Sequence, residues 1–600
     1  MIIKKNLNNS NKLGNIPRWN LKDFYENPES KKIIRDLENI KKSSLNFEKK
    51  YEGKIKNLNS KKLYKAIAEF EEINKKMSKI ISYAHLLFVE NLNNEKNKIF
   101  FQKIQEKITN YSSSIVFFNL ELNLISNYNL TKLFKNKKLL KYKNWLLILR
   151  SYRPYQLDKD LEKLMRDKNI TSSLSWSRLF DETIASLKFP FRGKELSATQ
   201  IFNYMTDKDP KKRKQTAKSI GLTLERNINI FTIISNTLAK DKNINDRWRK
   251  FPNSISNRNL SNVVEDEVVE NLSFTVQSYY PKLSHRYYNL KAKWFKKKKL
   301  MYWDRNAPLP FQINRSYSWN QARDIVIEAY GSFNSEIEKI VRLFFDKSWI
   351  DAEVRQGKQS GAFSASTVPD LHPFILLNYQ GKIRDISTLA HELGHGVHQF
   401  LAAEQGYFNS STPLTLAETA SVFGEMLTFK HMLLKEKNLI NRKALLANKV
   451  EDMLNTVVRQ IAFFEFEKQL HNKRKEVELS TEEICKIWIK VQSESLGPYI
   501  NFEKEYKYYW AYIPHFIHSP FYVYAYAFGD CLVNTLYSVY EKNPNGFDDK
   551  YINLLRSGGS KKYRELLKPF NLNPSNNDFW KKGLNIISNL IDELEEIENN

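Results

Sequence analysis

Apolar residues in this chain return every three or four positions over long stretches, and that period confines it to a largely helical fold. Leu63, Ile67, Phe70, Met77, Ile80, Ala84 and Leu87 fall on one helix face, and Ile104, Ile108, Tyr111, Ile115 and Phe118 repeat the pattern. Only 18 Gly and 18 Pro in 600 residues also argue against a loop-rich all-β architecture. A single hydrophobic core stops growing near roughly 250–300 residues, so the length predicts two lobes. The stretch FPFRGKELS at 189–197 has the Pro, Gly and charge of a connection. It divides an N-terminal helical lobe, 1–195, from a larger lobe, 196–600.

Within the second lobe Asp209-Pro210 opens a helix, with Asp as cap and Pro in the first turn. Further helices are expected at about 265–293 and 320–347, and Ser480 with Glu483 forms a capping box. Residues 361–367 (GAFSAST) and 374–379 (FILLNY) break the helical pattern and read as two adjacent strands. Beyond 385 the chain turns helical again. The fold class is therefore mainly α, with a small β-sheet beside one helix.

The formal charge of +28 invites a nucleic-acid partner. The lysines are spread along the whole chain, however, with only short clusters such as 296–299, whereas a nucleic-acid footprint concentrates on one face. A solvated surface is favoured on that ground, and no nucleic-acid partner is expected. Cys485 and Cys531 are the only cysteines, too few for a disulfide framework or a thiolate metal site. Residues 1–20 read as a polar leader without the apolar run of a secretory signal. The most apolar window, 521–540, contains Asp530, Gly529, Asn534 and five tyrosines, so a buried helix is expected there and not a membrane span. These features predict a cytoplasmic protein without membrane attachment.

The chemistry is carried by His391-Glu392-Leu393-Gly394-His395, an HExxH pattern. Asp385 is placed to cap a helix over about 386–404. Ile386, Leu389, Ala390, Leu393, Val397, Phe400 and Leu401 fall on one side of it, and His391, His395 and His398 on the other. Imidazoles one turn apart on one face suit a metal, and Glu392, on their flank, suits activation of a water bound to it. A third ligand is needed. His398 is on the correct face, but three ligands from one straight helix converge poorly on a tetrahedral ion, and a carboxylate from a second helix serves better. Glu418 and Glu425 share a face of the next helical stretch, 415–435. Thr415 and Glu418 also read as a capping box, and Glu425 suits a hydrogen bond to a ligating imidazole. His515, His518, Tyr522, Tyr524 and Tyr526 crowd the segment 510–529. Density of this kind is ordinary core, although phenol and imidazole donors also suit stabilisation of an oxyanion. Tyr522 and Tyr526 share a face; Tyr524 points elsewhere, as a core residue does.

With these residues in place, the chain resembles the oligoendopeptidase F branch of the thimet-oligopeptidase-like (M3) metallopeptidases. The resemblance runs through Tyr302-Trp303-Asp304, Trp349-Ile350-Asp351-Ala352, Gly361-Ala362-Phe363, Leu377-Asn378-Tyr379, HELGHGVH, Ala417-Glu418 with Glu425, Arg459-Gln460, Pro514-His515-Phe516 and Gly558-Gly559-Ser560. It implies a two-lobed helical enzyme with a deep central channel and one Zn2+ per chain, held by His391, His395 and Glu418. It further implies Glu392 as general base, with His515 and Tyr522 or Tyr526 donating to the substrate carbonyl in the transition state. Asp385, His398 and Glu425 stand as supporting or alternative ligands. An extended peptide is expected to pair with the strand carrying Leu377, Asn378 and Tyr379. The implied substrates are short unstructured peptides cut internally. The rival readings are an exopeptidase on the same scaffold, either a dipeptidyl carboxypeptidase or a metallocarboxypeptidase, and a non-catalytic peptide-binding protein. Oligomeric state is not legible.

Overall fold

A computed structural model describes residues 13–311, 313 and 315–599; the first twelve residues of the expected leader lie outside them. The chain divides into two compact units, each assembled from three separated segments. The first takes Met1–Arg153, Asn314–Lys435 and Val539–Leu572, and the second Pro154–Ile313, Glu436–Ser538 and Asn573–Asn600. The junction expected at 195/196 falls inside the second unit. The connection expected at 189–197 is a β-hairpin, Phe189–Phe191 paired antiparallel with Lys194–Leu196. Arg192 and Gly193 both take positive φ, at 51° and 76°, the conformation that matches a two-residue turn to strand twist. Pro190 hides this strand from a sequence reading, yet a two-stranded ribbon consists only of edges, where proline is tolerated.

The first unit opens with three long helices, Lys31–Tyr51, Ser60–Glu90 and Glu95–Ser113, whose N-termini are capped by the side chains of Ser30, Asn59 and Asn94. In the second of them Leu63, Ile67, Phe70, Met77, Ile80 and Ala84 are buried as the periodicity requires. By its last turn the buried positions are Leu86 and Val89, with Leu87 only half-buried. A 3.6-residue turn drifts against a seven-residue repeat, so the buried stripe slips round the helix. The repeat from Ile104 to Phe118 is shared between Glu95–Ser113 and the following helix, Phe117–Leu124.

The two expected strands pair antiparallel as Phe363–Ala365 and Phe374–Leu376, and a third strand, Ile350–Asp351, adds parallel to the far side of Phe374–Leu376. The central strand is wholly buried. Beneath the sheet, buried Asp351 accepts from both ends of the Arg355 guanidinium at 2.6 and 2.7 Å and from Lys358 Nζ at 2.7 Å. Lys358 also donates to the carbonyl of Leu377. The helix Ile383–Ala402, which carries HExxH, packs against this sheet and most closely against the helix Thr419–Lys435.

In the second unit Asp209 caps the helix Pro210–Arg226, and Ser480 and Glu483 close a capping box at the start of Thr481–Leu496. The expected helix over 265–293 is two helices, Asp266–Tyr279 and Ser284–Trp294, separated at Pro281, which cannot supply the N–H that a continuous helix needs. The apolar window is a helix, Tyr524–Lys542, buried through most of its length. Among the described residues no helix is long and apolar enough to cross a membrane.

Candidate metal centre and active site

The motif helix starts three residues earlier than its sequence suggests, at Ile383. Asp385 is thus not its N-cap. It lies inside the first turn and accepts from the backbone N–H groups of Gln380 and Lys382, closing the turn that leads into the helix. Ile386, Leu389, Ala390, Leu393, Val397 and Leu401 face the core, with Phe400 only partly covered. The opposite face is less open than expected. Glu392 and His398 are buried, while His391 and His395 are half-buried at a cleft of about 340 Å³ lined also by Ala362, Phe363 and Ser364.

Three side chains converge there. His391 Nε2 and His395 Nε2 lie 3.2 Å apart, and Glu418 Oε2 is 3.5 Å from the first and 3.6 Å from the second. Tetrahedral bonds of about 2.0–2.1 Å place neighbouring ligand atoms about 3.3–3.4 Å apart, so this triangle fits a zinc-sized ion with one position left open. Glu418 stands at the joint between the short turn Leu414–Ala417 and the helix Thr419–Lys435, where Ser421 Oγ donates to Oε2 at 2.7 Å. Thr415 lies inside that turn and does not open a helix over Glu418. Glu425, two turns on, hydrogen bonds with His391 Nδ1 at 2.6 Å, which leaves Nε2 as the nitrogen facing His395 and Glu418. His395 is held in turn by the backbone carbonyl of Ala417. His398 is outside this group: the three residues whose ligand atoms gather are His391, His395 and Glu418.

Close helix contact makes the triangle. A Cβ on Gly394 would sit 2.4 Å from the Ala420 carbonyl oxygen and 2.5 Å from Ser421 Cα, so only glycine lets the Glu418 helix approach the motif helix this closely. Two buried tyrosines pin the pair: Tyr330 donates to the Ala390 carbonyl at 2.7 Å and Tyr551 to the Thr419 carbonyl at 2.8 Å. Gly394→Ala is therefore expected to cost about 1–3 kcal/mol of stability through overpacking and to weaken metal retention by moving Glu418. Thermal melting with metal analysis after dialysis checks this, and an unchanged metal content would separate the helix contact from the site. The sequence displayed Gly394 inside its motif, but nothing in it marked what the glycine faces.

Charge at the site follows from burial and neighbours. Burial works against a charged His391, but the hydrogen bond and charge of Glu425, with Glu418 and Glu392 nearby, carry the ring up to about 9. Burial pushes the Glu392 carboxyl up to about 7; His391 opposes the rise, and Glu418 and Glu425 add to it. Burial lowers His395 and takes His398 down to about 3, so both rings are neutral near pH 7. Without metal, His391 keeps a proton on each nitrogen below about pH 9, and an ion at Nε2 displaces one of them. The apparent affinity for Zn2+ is thus expected to fall about tenfold per pH unit on going from 9 to 7. Competition with a chelator measures this, and a flat profile would contradict the assignment of His391.

The residues expected to touch substrate are engaged within the protein. Leu377 and Tyr379 are buried, and their N–H groups are spent on the carbonyls of Asp351 and Ala352. Tyr379 Oη donates to the Tyr317 carbonyl, and Asn378 Nδ2 to the carbonyls of Gln359 and Gly361. This segment braces the sheet and offers no free edge. The free edge belongs to Phe363–Ala365. Ile375 spends its N–H on Trp349, so Phe374 and Leu376 are the residues that bond across to Ala365 and Phe363. In an antiparallel ladder the intervening Ser364 then turns its own N–H and C=O outward, beside the cleft that holds His391 and Glu392, and the C=O accepts from Gln399 Nε2 at 3.4 Å.

In the second unit, His515, Tyr522 and Tyr526 form a half-buried cluster. His515 Nε2 is 3.4 Å from Tyr526 Oη, and the two tyrosine ring centroids are 5.3 Å apart. Burial and the nearby Arg459 lower the His515 pKa, which leaves a neutral ring. Tyr524 is fully buried and its hydroxyl accepts from Asn262, as a core position requires. His518 turns instead to Asp181 at 2.9 Å. Phe521, just before Tyr522, has φ of 59°. Glu467 accepts its N–H at 2.9 Å, and Arg258 donates to the Pro520 carbonyl at 3.0 Å while lying over the Tyr522 ring. This bracing by Glu467 and Arg258 was invisible in the sequence, because its partners are 54 and 262 residues apart.

Comparison with known proteins places this geometry. The sequence model of Peptidase family M3 matches residues 203–586, and that of the Oligopeptidase F N-terminal region matches 121–189. Oligopeptidase PepF of Bacillus subtilis is 25% identical over 593 residues, covering 96% of this chain and 87% of its own. An oligoendopeptidase F homolog of Borreliella burgdorferi is 27% identical over 576 residues, covering 92% and 93%. Among solved structures, a putative peptidase from Chlamydophila abortus has the same fold, with a TM-score of 0.85 at 23% identity over 97% of this chain and 98% of that one. The oligoendopeptidase F of Enterococcus faecium aligns with a TM-score of 0.71 at 20% identity over 95% and 99%. The chain belongs to peptidase family M3, on its oligoendopeptidase F branch, and is a metalloendopeptidase.

Proposed function

We propose that this peptidase holds one Zn2+ between His391, His395 and Glu418 and hydrolyses short, unstructured peptides internally, with Glu392 as general base. The observation that carries the proposal is the triangle of two imidazole nitrogens and one carboxylate oxygen with sides of 3.2–3.6 Å. When bound, Zn2+ supplies an acidified water and polarises the scissile carbonyl. The chain's own residues do the rest. Glu425 fixes the His391 tautomer through its 2.6 Å bond. Glu392, buried and with Oε2 unbonded among the described residues, takes the proton from the attacking water and delivers it to the leaving amine. The outward N–H of Ser364 pairs with the peptide backbone as an added strand would, and its C=O joins the pairing as Gln399 Nε2, which donates to it at 3.4 Å, gives way. His515 and the phenols of Tyr522 and Tyr526 are assigned as donors to the carbonyl oxygen on their chemistry: a neutral imidazole and two hydroxyls in one cluster. A cytoplasmic role in peptide turnover, without nucleic acid or membrane, completes the reading.

A peptide blocked at both ends, digested with and without a chelator, tests it. Internal cleavage that the chelator abolishes is expected, whereas release of terminal residues only from unblocked peptides would make the enzyme an exopeptidase. Tyr522→Phe is expected to lower kcat by about 10²–10³-fold at unchanged metal content. An unaltered rate would return Tyr522 to a packing role.

A further inference from the structure

In the second unit the buried Arg213 and the half-buried Arg249 each meet a carboxylate. Arg213 meets Asp304 at 2.7 Å, and Arg249 meets Glu162 at 2.7 and 2.9 Å. Arg305 and Arg459 have no carboxylate partner among the described residues. Arg459 opens the helix Val458–Glu476; its Nε is buried and unbonded, and its guanidinium lies 5.0 Å from the centroid of the Phe463 ring. The neighbouring Gln460 Oε1 is also buried without a donor. Phe463 in turn packs 5.4 Å from Phe516, the residue after His515. Arg305 hydrogen bonds with the Tyr506 phenol, whose ring packs in tilted contact with Tyr302 and Tyr509. The two guanidiniums lie close enough to repel each other, and burial with that repulsion lowers the pKa of Arg459. The surrounding groups are tyrosines, neutral near pH 7, and not acids.

Arg305 and Arg459 are half-buried, and two like charges partly withdrawn from water without a counter-ion cost stability that packing alone does not return. Such an arrangement becomes favourable once an anion sits between them, and a guanidinium matches a carboxylate fork to fork. We propose that Arg305 and Arg459 form a carboxylate-binding subsite for the peptide substrate, ringed by phenols and adjoining the His515 cluster. The ligand is a carboxylate of a peptide, carried at its C-terminus or on an acidic side chain. This inference rests on the peptidase reading, but it is tested without turnover.

The probe is a heptapeptide of neutral residues with a free C-terminus, compared with its C-terminal amide and with the amide bearing one Glu in place of Gln at each position in turn. Binding to the Glu392→Gln protein is read by calorimetry. The free acid, or one particular Glu position, is expected to bind about 10- to 100-fold more tightly than the neutral amide, as a charge-assisted hydrogen bond implies. Arg459→Met keeps the contact with Phe463 and should bring that ratio to about one; Arg459→Lys should restore part of it. Melting temperatures guard against misfolding, and Arg459→Met should melt at or above the parent, since it removes an uncompensated, half-buried charge. If no carboxylate position improves binding, or if the preference survives Arg459→Met in a folded protein, the subsite is overturned. Tight binding of the acid by an enzyme that cleaves nothing would uphold the subsite and refute the peptidase mechanism instead.

Discussion

Glu392→Gln is expected to lower kcat by about 10²–10⁴-fold while the protein keeps its metal and its fold. The argument starts from burial: Glu392 is 6% exposed and its Oε2 meets no donor among the described residues. Its carboxyl is pushed up to about 7, so the surroundings resist the charged form. A neutral amide of nearly the same shape is therefore accommodated without loss of stability. What the amide lacks is a lone pair basic enough to accept the proton of the attacking water. His391, His395 and Glu418 are unchanged in this variant, so metal content is the internal control. A variant that retains zinc and cleaves peptides at the parental rate would remove Glu392 from the mechanism.

Glu418→Ala is the second large effect, and it acts on the metal instead of the proton. Removing the carboxylate takes one side from the triangle and leaves two imidazole nitrogens 3.2 Å apart. The loss of affinity should exceed the roughly 10–100-fold typical of losing an outer partner of a ligand. Glu425→Ala provides that comparison, since Glu425 reaches His391 at the nitrogen turned away from His395 and Glu418. The expected order of zinc remaining after dialysis is parent, then Glu425→Ala, then Glu418→Ala at background. Full retention by Glu418→Ala would transfer the third position to His398, one turn along the same helix.

Local patterns made much of this site legible. HExxH names two imidazoles one helical turn apart, and the seven-residue spacing of Glu418 and Glu425 puts both on the next helix facing the first. The structure brings all four together. The helical class and the core position of Tyr524 were likewise readable from periodicity. What the sequence hid depends on partners distant along the chain. Leu377 to Tyr379 look like a strand open to substrate, but the short strand Ile350–Asp351 takes that side, and two residues carry too little pattern to announce themselves. Asp385 fits an N-cap by composition and is displaced because the helix already begins at Ile383, with Lys382 at the cap position. The hairpin at 189–196 was concealed by Pro190. Gly394 was visible as a residue but not as a contact, since its meaning lies in the backbone of Ala420 and Ser421. The assembly of each unit from three separated segments is a property of long-range packing, and local periodicity does not report it.

The most direct measurement is to strip the enzyme of metal and titrate Zn2+ back while following cleavage of an end-blocked peptide. Activity should begin at zero and rise linearly to a break at one equivalent per chain, and the same titration of Glu418→Ala should stay flat. Full activity in the metal-free protein would contradict the account.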